Sequence, residues 1–469
     1  MSRKIKIYRT TEETRQLLNS KSPSFCAAKW YNASMWLDKG WTTSCHHNPV
    51  HSIDVNEIRT NFRALHNTQI KKNERRMMQQ GEKPINCQFC WIMESTAPEQ
   101  TSDRVWSSLD TPTEAIDRAY TNSHEDDYDL EYLELCFDRT CNLACSYCCP
   151  AISSSWARDV RQHGPYKDLV TDHRQHYISA SDEFILHKYG EPNPYVDAFF
   201  QWWNDSLHRT LNTLKISGGE PLMSGNTWRL LEWLADNPNK STTELHLTTN
   251  LAYDSDTLSR FLLLADRIDQ PIIVNASLEC IGKKAEYVRD GLVWEQWLDN
   301  FNRLVDCKGV EKIGLVCTAS ALSSDGFVEF LEWLLTQKPR RPFDGITLTL
   351  NPVRFPTFQN IIALPHDIRL IHAAELEKFI TNNPEYERWY TDYEKDNLSR
   401  YLIYLKKLVV PHKEEQQGHD DTTFEEHDRE FSQEELARDL KTFCVQYDQR
   451  RGKNFIEAFP RLKNWYENI

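Results

Sequence analysis

A chain of 469 residues, 40% hydrophobic and 12% aromatic, has the apolar mass for a large core and for two or more domains, which excludes a disordered chain. Its net charge of -14 argues against generic nucleic-acid binding, because phosphate affinity rests on clustered Lys and Arg. No apolar run approaches a membrane span and the start Met1-Ser2-Arg3-Lys4 lacks an apolar signal core, so no membrane association is expected.

Thirteen cysteines, an odd number clustered at metal-ligand spacings, suit a reducing compartment better than a disulfide framework, and the expected location is cytoplasmic. In chain order the first group is Cys26, Cys45, Cys87 and Cys90, the last two as C-x2-C. Gly40, in Asp38-Lys39-Gly40, reads as a turn residue able to take positive φ, so that a hairpin would bring Cys26 and Cys45 together against Cys87 and Cys90. Four thiolates close either a 4Fe-4S cluster or a structural zinc ribbon, and spacing alone does not choose between them. The basic run Lys71-Lys72-Asn73-Glu74-Arg75-Arg76 reads as a solvated helix face. Residues 1–95 are expected to form a cysteine-bearing domain, and the polar, acidic stretch 96–131 a linker with one helix.

From Tyr132 the pattern alternates. Strands are expected at Tyr132 to Cys136, Thr213 to Ser217, Glu244 to Thr249, Ile272 to Ser277, Ile313 to Ala319 and Ile346 to Asn351, with helical periodicity between them. Strand followed by helix, six times over, implies an α/β fold with a parallel sheet across residues 132–353, its ligand chemistry at the carboxyl ends of the strands. Residues 354–469 read as a helical, charged C-terminal region. It contains an acidic stretch around Glu414 to Glu430 and an aromatic end, Tyr447 through Leu462, expected to dock on the sheet.

Two motifs fall at those strand ends. Cys141, Cys145 and Cys148 make a C-x3-C-x2-C run with Tyr147 just before the third cysteine. Three thiolates can hold three corners of a cubane cluster and leave the fourth iron open, the alternative being a structural zinc site or buried thiols. The strand at Thr213 to Ser217 ends in Gly218-Gly219-Glu220-Pro221, where paired glycines permit close backbone approach and Glu220 can offset positive charge. The connection 151–194 is long enough to be a lid or substrate-binding element, or a passive surface excursion.

The triplet with its aromatic residue and the Gly-Gly-Glu run resemble the radical S-adenosylmethionine (SAM) superfamily. Cys26, Gly40, Cys45, Cys87 and Cys90 resemble its twitch domain, a shortened SPASM domain, here ahead of the barrel instead of after it. The resemblance implies a partial (β/α)6 TIM-like barrel with an N-terminal twitch-like domain and a helical C-terminal extension. It also implies two 4Fe-4S clusters, one on Cys141, Cys145 and Cys148 that binds SAM and one auxiliary. Tyr147 would lie beside the adenine, and Gly218, Gly219 and Glu220 at the methionine amine. Asn250 ends a strand where relatives often read Thr-Asn-Gly, although Leu251 replaces that glycine. Ser277 and Glu279 would lie near the ribose, and Arg289 would pair with the methionine carboxylate. Cys280 and Cys317 are candidate hydrogen donors to a substrate radical.

The implied activity is reductive cleavage of SAM to a 5′-deoxyadenosyl radical that takes hydrogen from substrate, with a one-electron donor such as flavodoxin or ferredoxin as partner. A peptide or protein side chain is the favoured substrate, because aromatic content and the long insertion suggest a broad groove. A small nucleotide or sugar is the enzymatic alternative, and a non-catalytic zinc-bound interaction protein the alternative from another class.

Overall fold

Nine strands hydrogen-bond into one sheet in the computed structural model, which describes residues 9–97, 100–172, 174–407 and 431–469. The acidic stretch Glu414 to Glu430 and the basic start Met1 to Lys4 lie outside the described residues. In chain order the strands are β1 (Asn32–Trp36), β2 (Trp41–Thr43), β3 (His51–Ser52), β4 (Tyr132–Cys136), β5 (Ala144–Cys145), β6 (Thr213–Ser217), β7 (Glu244–Thr249), β8 (Ile272–Ser277), β9 (Arg289–Asp290), β10 (Lys312–Ala319) and β11 (Ile346–Pro352). The sheet runs β11-β10-β8-β7-β6-β4-β1-β2-β3, while β5 and β9 pair separately. Every contact from β11 through to β1 is parallel, and β1, β2 and β3 then form an antiparallel meander.

The six expected strands form with nearly the expected bounds, because each is a short apolar alternation enclosed by turn residues. Helices Gly225–Asp236, Ser255–Ala265, Trp294–Asp306 and Phe327–Gln337 connect successive strands, as parallel pairing requires. One face of the sheet packs on them through Leu214, Ile216, Leu245, Leu247, Val274 and Ala276, all buried. Lys215, His246 and Asn275 alternate with these residues and stay half-buried, so the opposite face is a polar interior. There Lys215 Nζ lies 3.2 Å from Glu134 Oε1.

Three features depart from the sequence reading. The hairpin around Gly40 forms, with φ +62 at the glycine, but its first strand also joins the main sheet, pairing Asn32–Trp36 with Tyr132–Cys136 residue for residue. The stretch 96–131 carries two helices, Asp103–Trp106 and Thr113–Thr121. Ala115, Ile116 and Ala119 of the second are buried in a small core with Trp30, Tyr31 and Met78. The basic run is not a solvated face: in helix Gln69–Gln79, Lys71 and Arg75 are fully buried and Glu74 is 5% exposed. Hydrogen bonds explain this. Lys71 Nζ reaches Thr42 Oγ1 and Thr43 O at 3.0 Å, and Arg75 Nε reaches Lys29 O at 3.1 Å, so buried cations find partners that sequence distance conceals.

Among the described residues no helix is long and apolar enough to cross a membrane. The C-terminal helix Gln433–Arg451 packs against the cysteine loop, with Tyr447 Oη 3.1 Å from the carbonyls of both Ala144 and Tyr287.

Candidate active site

The loop that carries Cys141, Cys145 and Cys148 leaves the carboxyl end of β4. Local serines shape it: Ser154 Oγ accepts from Cys141 N at 3.0 Å, and Ser155 and Ser153 hydroxyls donate to Cys141 O and Leu143 O at 2.8 and 2.9 Å. Ser153 also caps helix Ser154–His163, taking Trp156 N at 3.4 Å. Strand β5 within the loop pairs with β9 and sets Cys145 opposite Arg289.

Gly218 and Gly219 lie against this loop. Gly218 has φ +123, and a Cβ on Gly219 would come 2.3 Å from Thr140 O. Glu220 N donates to Thr140 O at 2.6 Å. The two glycines therefore let the end of β6 touch the backbone of the cysteine loop, a close approach that side chains would block.

Glu220 is 1% exposed and accepts from Asn250 N at 2.7 Å, Tyr253 Oη at 2.9 Å, Thr249 Oγ1 at 3.1 Å and Leu222 N at 3.3 Å. Burial pushes its carboxyl up to about 7 against the pull of those donors. The carboxylate thus ties the ends of β6 and β7 together and presents Asn250, whose Nδ2 lies 3.9 Å from Cys141 Sγ and 2.8 Å from Asn142 Oδ1. Leu251, in the glycine position of the related motif, takes φ +56, a left-handed conformation held by its N–H donating to Thr249 Oγ1 at 2.9 Å.

At the end of β8, Glu279 is fully buried and Arg289 is 3% exposed. Arg289 Nε reaches Glu279 Oε2 at 2.7 Å, its Nη2 also pairs with Glu279, and its Nη1 lies 3.7 Å from Cys145 Sγ. Tyr147 Oη donates to Glu279 Oε1 at 2.6 Å. The fork expected to grip a methionine carboxylate is therefore occupied by Glu279, which leaves Nη1 for such a contact. Glu279 itself faces Arg289 and Tyr147. Ser277 lies on the half-buried inner side of β8.

Cys280 and Cys317 are fully buried, and burial, followed by Glu279, drives both thiols well up. Cys317 shares its side of β10 with Ile313 and Leu315, toward the helix layer, so the structure does not bring it to the polar interior.

None of the thirteen cysteines is disulfide-bonded. Among the described residues no group of three or more His, Cys, Asp or Glu side chains closes around a single ion; a cubane, with each thiolate on its own iron, needs wider spacing than that. The triplet fits such a group in its donors, since Leu143 N at 3.5 Å and Asn250 Nδ2 point at Cys141 Sγ and Arg289 at Cys145 Sγ, hydrogen bonds of the kind that tune clusters. Burial raises the Cys141 and Cys145 thiols to about 11 and about 12, a cost that metal coordination removes by replacing the proton.

In the N-terminal set, Cys87 and Cys90 share a small buried cluster with Cys26 packed against it. Cys26 feels Cys87 and Cys45 as neighbours, and Cys90 feels Cys26 and Cys45. Asn48 joins Cys45 and Cys87, its amide 3.2 and 3.6 Å from their sulfurs. Sequence reasoning missed two further residues. Lys29, 2% exposed, stands beside this pocket paired with Glu74, a partner too distant in the chain to signal it. Asp38, 1% exposed with neither carboxylate oxygen hydrogen-bonded, sits in the turn after β1, next to Cys136 and the start of the cysteine loop.

No protein-family model and no curated protein sequence matches the chain. Among solved structures it is similar to Streptococcus suis SuiB bound to S-adenosylmethionine, at 13% identity and TM-score 0.33, over 75% of this chain and 68% of that one. It is also similar to histidine-tagged anSMEcpe with bound AdoMet, at 13% identity and TM-score 0.31, over 53% of this chain and 62% of that one. The match thus spans less than two thirds of that enzyme's length. Native anSMEcpe with AdoMet and a peptide matches at 13% identity and TM-score 0.28. At such scores the reading of the site rests on this chain's own residues. The cysteine triplet, the Gly-Gly-Glu bend and the carboxyl ends of the parallel strands meet at one site.

Proposed function

We propose that this chain is a radical SAM enzyme that takes hydrogen from a peptide or protein side chain and carries a second, auxiliary 4Fe-4S cluster on Cys26, Cys45, Cys87 and Cys90. The observation that carries the reading is the meeting of three strand ends. Cys141 lies against Asn250, Asn250 is held by Glu220, and Gly219 packs on the loop from which Cys141 departs. Cys141, Cys145 and Cys148 would hold the first cluster. The chemistry such a group would supply with SAM bound is one-electron reduction of the sulfonium, which would give methionine and a 5′-deoxyadenosyl radical.

The chain's own residues orient and enclose. Glu220 fixes Asn250 beside the open side of the loop, and Glu279 fixes Tyr147 and Arg289. The insertion is fastened to the cysteine loop and the hairpin turn: Arg139 Nη1 binds Pro150 O and Ala180 O at 2.6 and 2.9 Å, and Leu186 N and His187 N bind Asp38 O at 2.9 and 3.1 Å. An insertion anchored beside the cysteine loop supports a reading in which it serves as the substrate-binding element. Anaerobic purification with iron, sulfide and zinc analysis, followed by a deoxyadenosine assay with SAM and dithionite, tests the proposal. Stoichiometric zinc without iron after anaerobic reconstitution would overturn it.

A further inference from the structure

The pocket of Cys26, Cys45, Cys87 and Cys90 is floored by buried charge. Lys29 is 2% exposed and Glu74 5%, and their Nζ–Oε2 distance is 2.6 Å. Glu74 Oε1 is held from the far side by Asn86 Nδ2 at 2.8 Å. Lys29 belongs to the pocket through its backbone too, since its N–H donates to Cys26 O at 3.1 Å. With its amide oxygen turned toward Lys29, Asn48 accepts from Nζ at 2.6 Å and donates to Asn86 O at 3.2 Å; in the opposite orientation its Nδ2 lies 3.6 Å from Cys87 Sγ. One amide group thus separates an ammonium from a ligand sulfur. Arg75, fully buried, binds Lys29 O at 3.1 Å and adds positive charge behind it.

A solvated surface lysine has no reason to be here. Taking an ammonium out of water costs several kcal/mol, and a single carboxylate repays that only with good geometry and further anionic neighbours. Four thiolates around a 4Fe-4S core supply them. In the oxidised state such a site carries two negative charges in all. One-electron reduction adds a third, with no bond broken and no proton taken up. Positive charge held in the low-dielectric interior next to the sulfurs stabilises the three-minus state more than the two-minus state.

We propose that Lys29 sets the reduction potential of the auxiliary cluster, raising it so that the cluster accepts an electron readily. This rests on the reading of the N-terminal site as a cluster. An elevated potential suits the site to receive the electron that a substrate radical gives up when it is oxidised with loss of a proton.

The test uses the full chain in which Cys141, Cys145 and Cys148 are replaced by Ala, so that the N-terminal site alone can hold iron. Lys29→Met keeps the apolar stem and removes the charge, and Lys29→Arg keeps the charge. Iron, sulfide and zinc are measured, and each protein is titrated with dithionite while the reduced cluster is followed by electron paramagnetic resonance. The expected result is a lower midpoint potential in Lys29→Met and a nearly unchanged one in Lys29→Arg. Equal midpoints in Lys29→Met and its parent, both loaded with iron, overturn the role of Lys29. Zinc in place of iron in the parent overturns the cluster reading itself, a separate outcome. Should Lys29→Met fail to load, Glu74→Gln leaves the ammonium and removes its carboxylate, and it should raise the midpoint; a fall would count against the proposal.

Discussion

Glu279 and Arg289 face each other in a pair almost wholly removed from solvent, and the same carboxylate holds the hydroxyl of Tyr147 at 2.6 Å. Removing one partner of such a pair strands the other charge, which costs about 3–5 kcal/mol. Glu279→Ala should therefore lower unfolding free energy by about that amount, and the Glu279→Ala/Arg289→Met double variant should recover much of it. Anaerobic denaturant titration measures both. A double variant no more stable than the single one would show that the pair does not act as a unit.

Gly219→Ala should disturb the first cysteine site selectively. Its Cβ would lie 2.3 Å from Thr140 O, backbone that can yield only by moving the loop ahead of Cys141. Overpacking of this kind costs about 1–3 kcal/mol. The expected outcome is loss of about four irons and of deoxyadenosine formation, with the N-terminal site still loaded. Full iron content with normal SAM cleavage would contradict the close approach.

Metal content follows from two ligand sets. The anaerobic protein should hold about eight irons, and triple replacement of Cys141, Cys145 and Cys148 by Ala should leave about four. Cys87→Ala or Cys90→Ala should retain the first cluster and uncoupled deoxyadenosine formation.

Asp38 gives a pH dependence with a definite sign. Burial raises its carboxyl to about 6 from an ordinary 3.8, so between those values the folded state holds a proton that the unfolded chain has released. Stability falls as pH rises through that window, by about 3 kcal/mol in all, and the loss is complete above it. Asp38→Asn cannot ionise and should be more stable than the parent at pH 7.5 by about 2–3 kcal/mol, with the difference shrinking toward pH 5. A difference independent of pH in denaturant titrations would remove Asp38 as its source.

The strands β4, β6, β7, β8, β10 and β11 were legible in the chain because each is a short apolar alternation, a local pattern that needs no distant partner to be recognised. The cysteine spacings and the Gly-Gly-Glu bend were legible for a similar reason, since ligand geometry and backbone freedom impose residue types at fixed offsets. What the two glycines touch was not: only the fold places Gly219 on Thr140.

Tertiary structure alone decided the partners of the charges. Arg289 follows Glu279 by ten residues, yet nothing in that spacing says that its fork closes on Glu279. Lys29 and Glu74 are 45 residues apart, and Lys71 and Arg75 look like a solvated run until the helix that carries them is packed under the hairpin. Likewise Asn32–Trp36 is a strand too short to announce its neighbour, and its parallel pairing with β4 is what sets the turn with Asp38 beside the carboxyl end of β4, where the cysteine loop begins. Burial and long-range pairing depend on which surfaces meet, and that information is spread over the whole chain, whereas periodicity and ligand spacing are local.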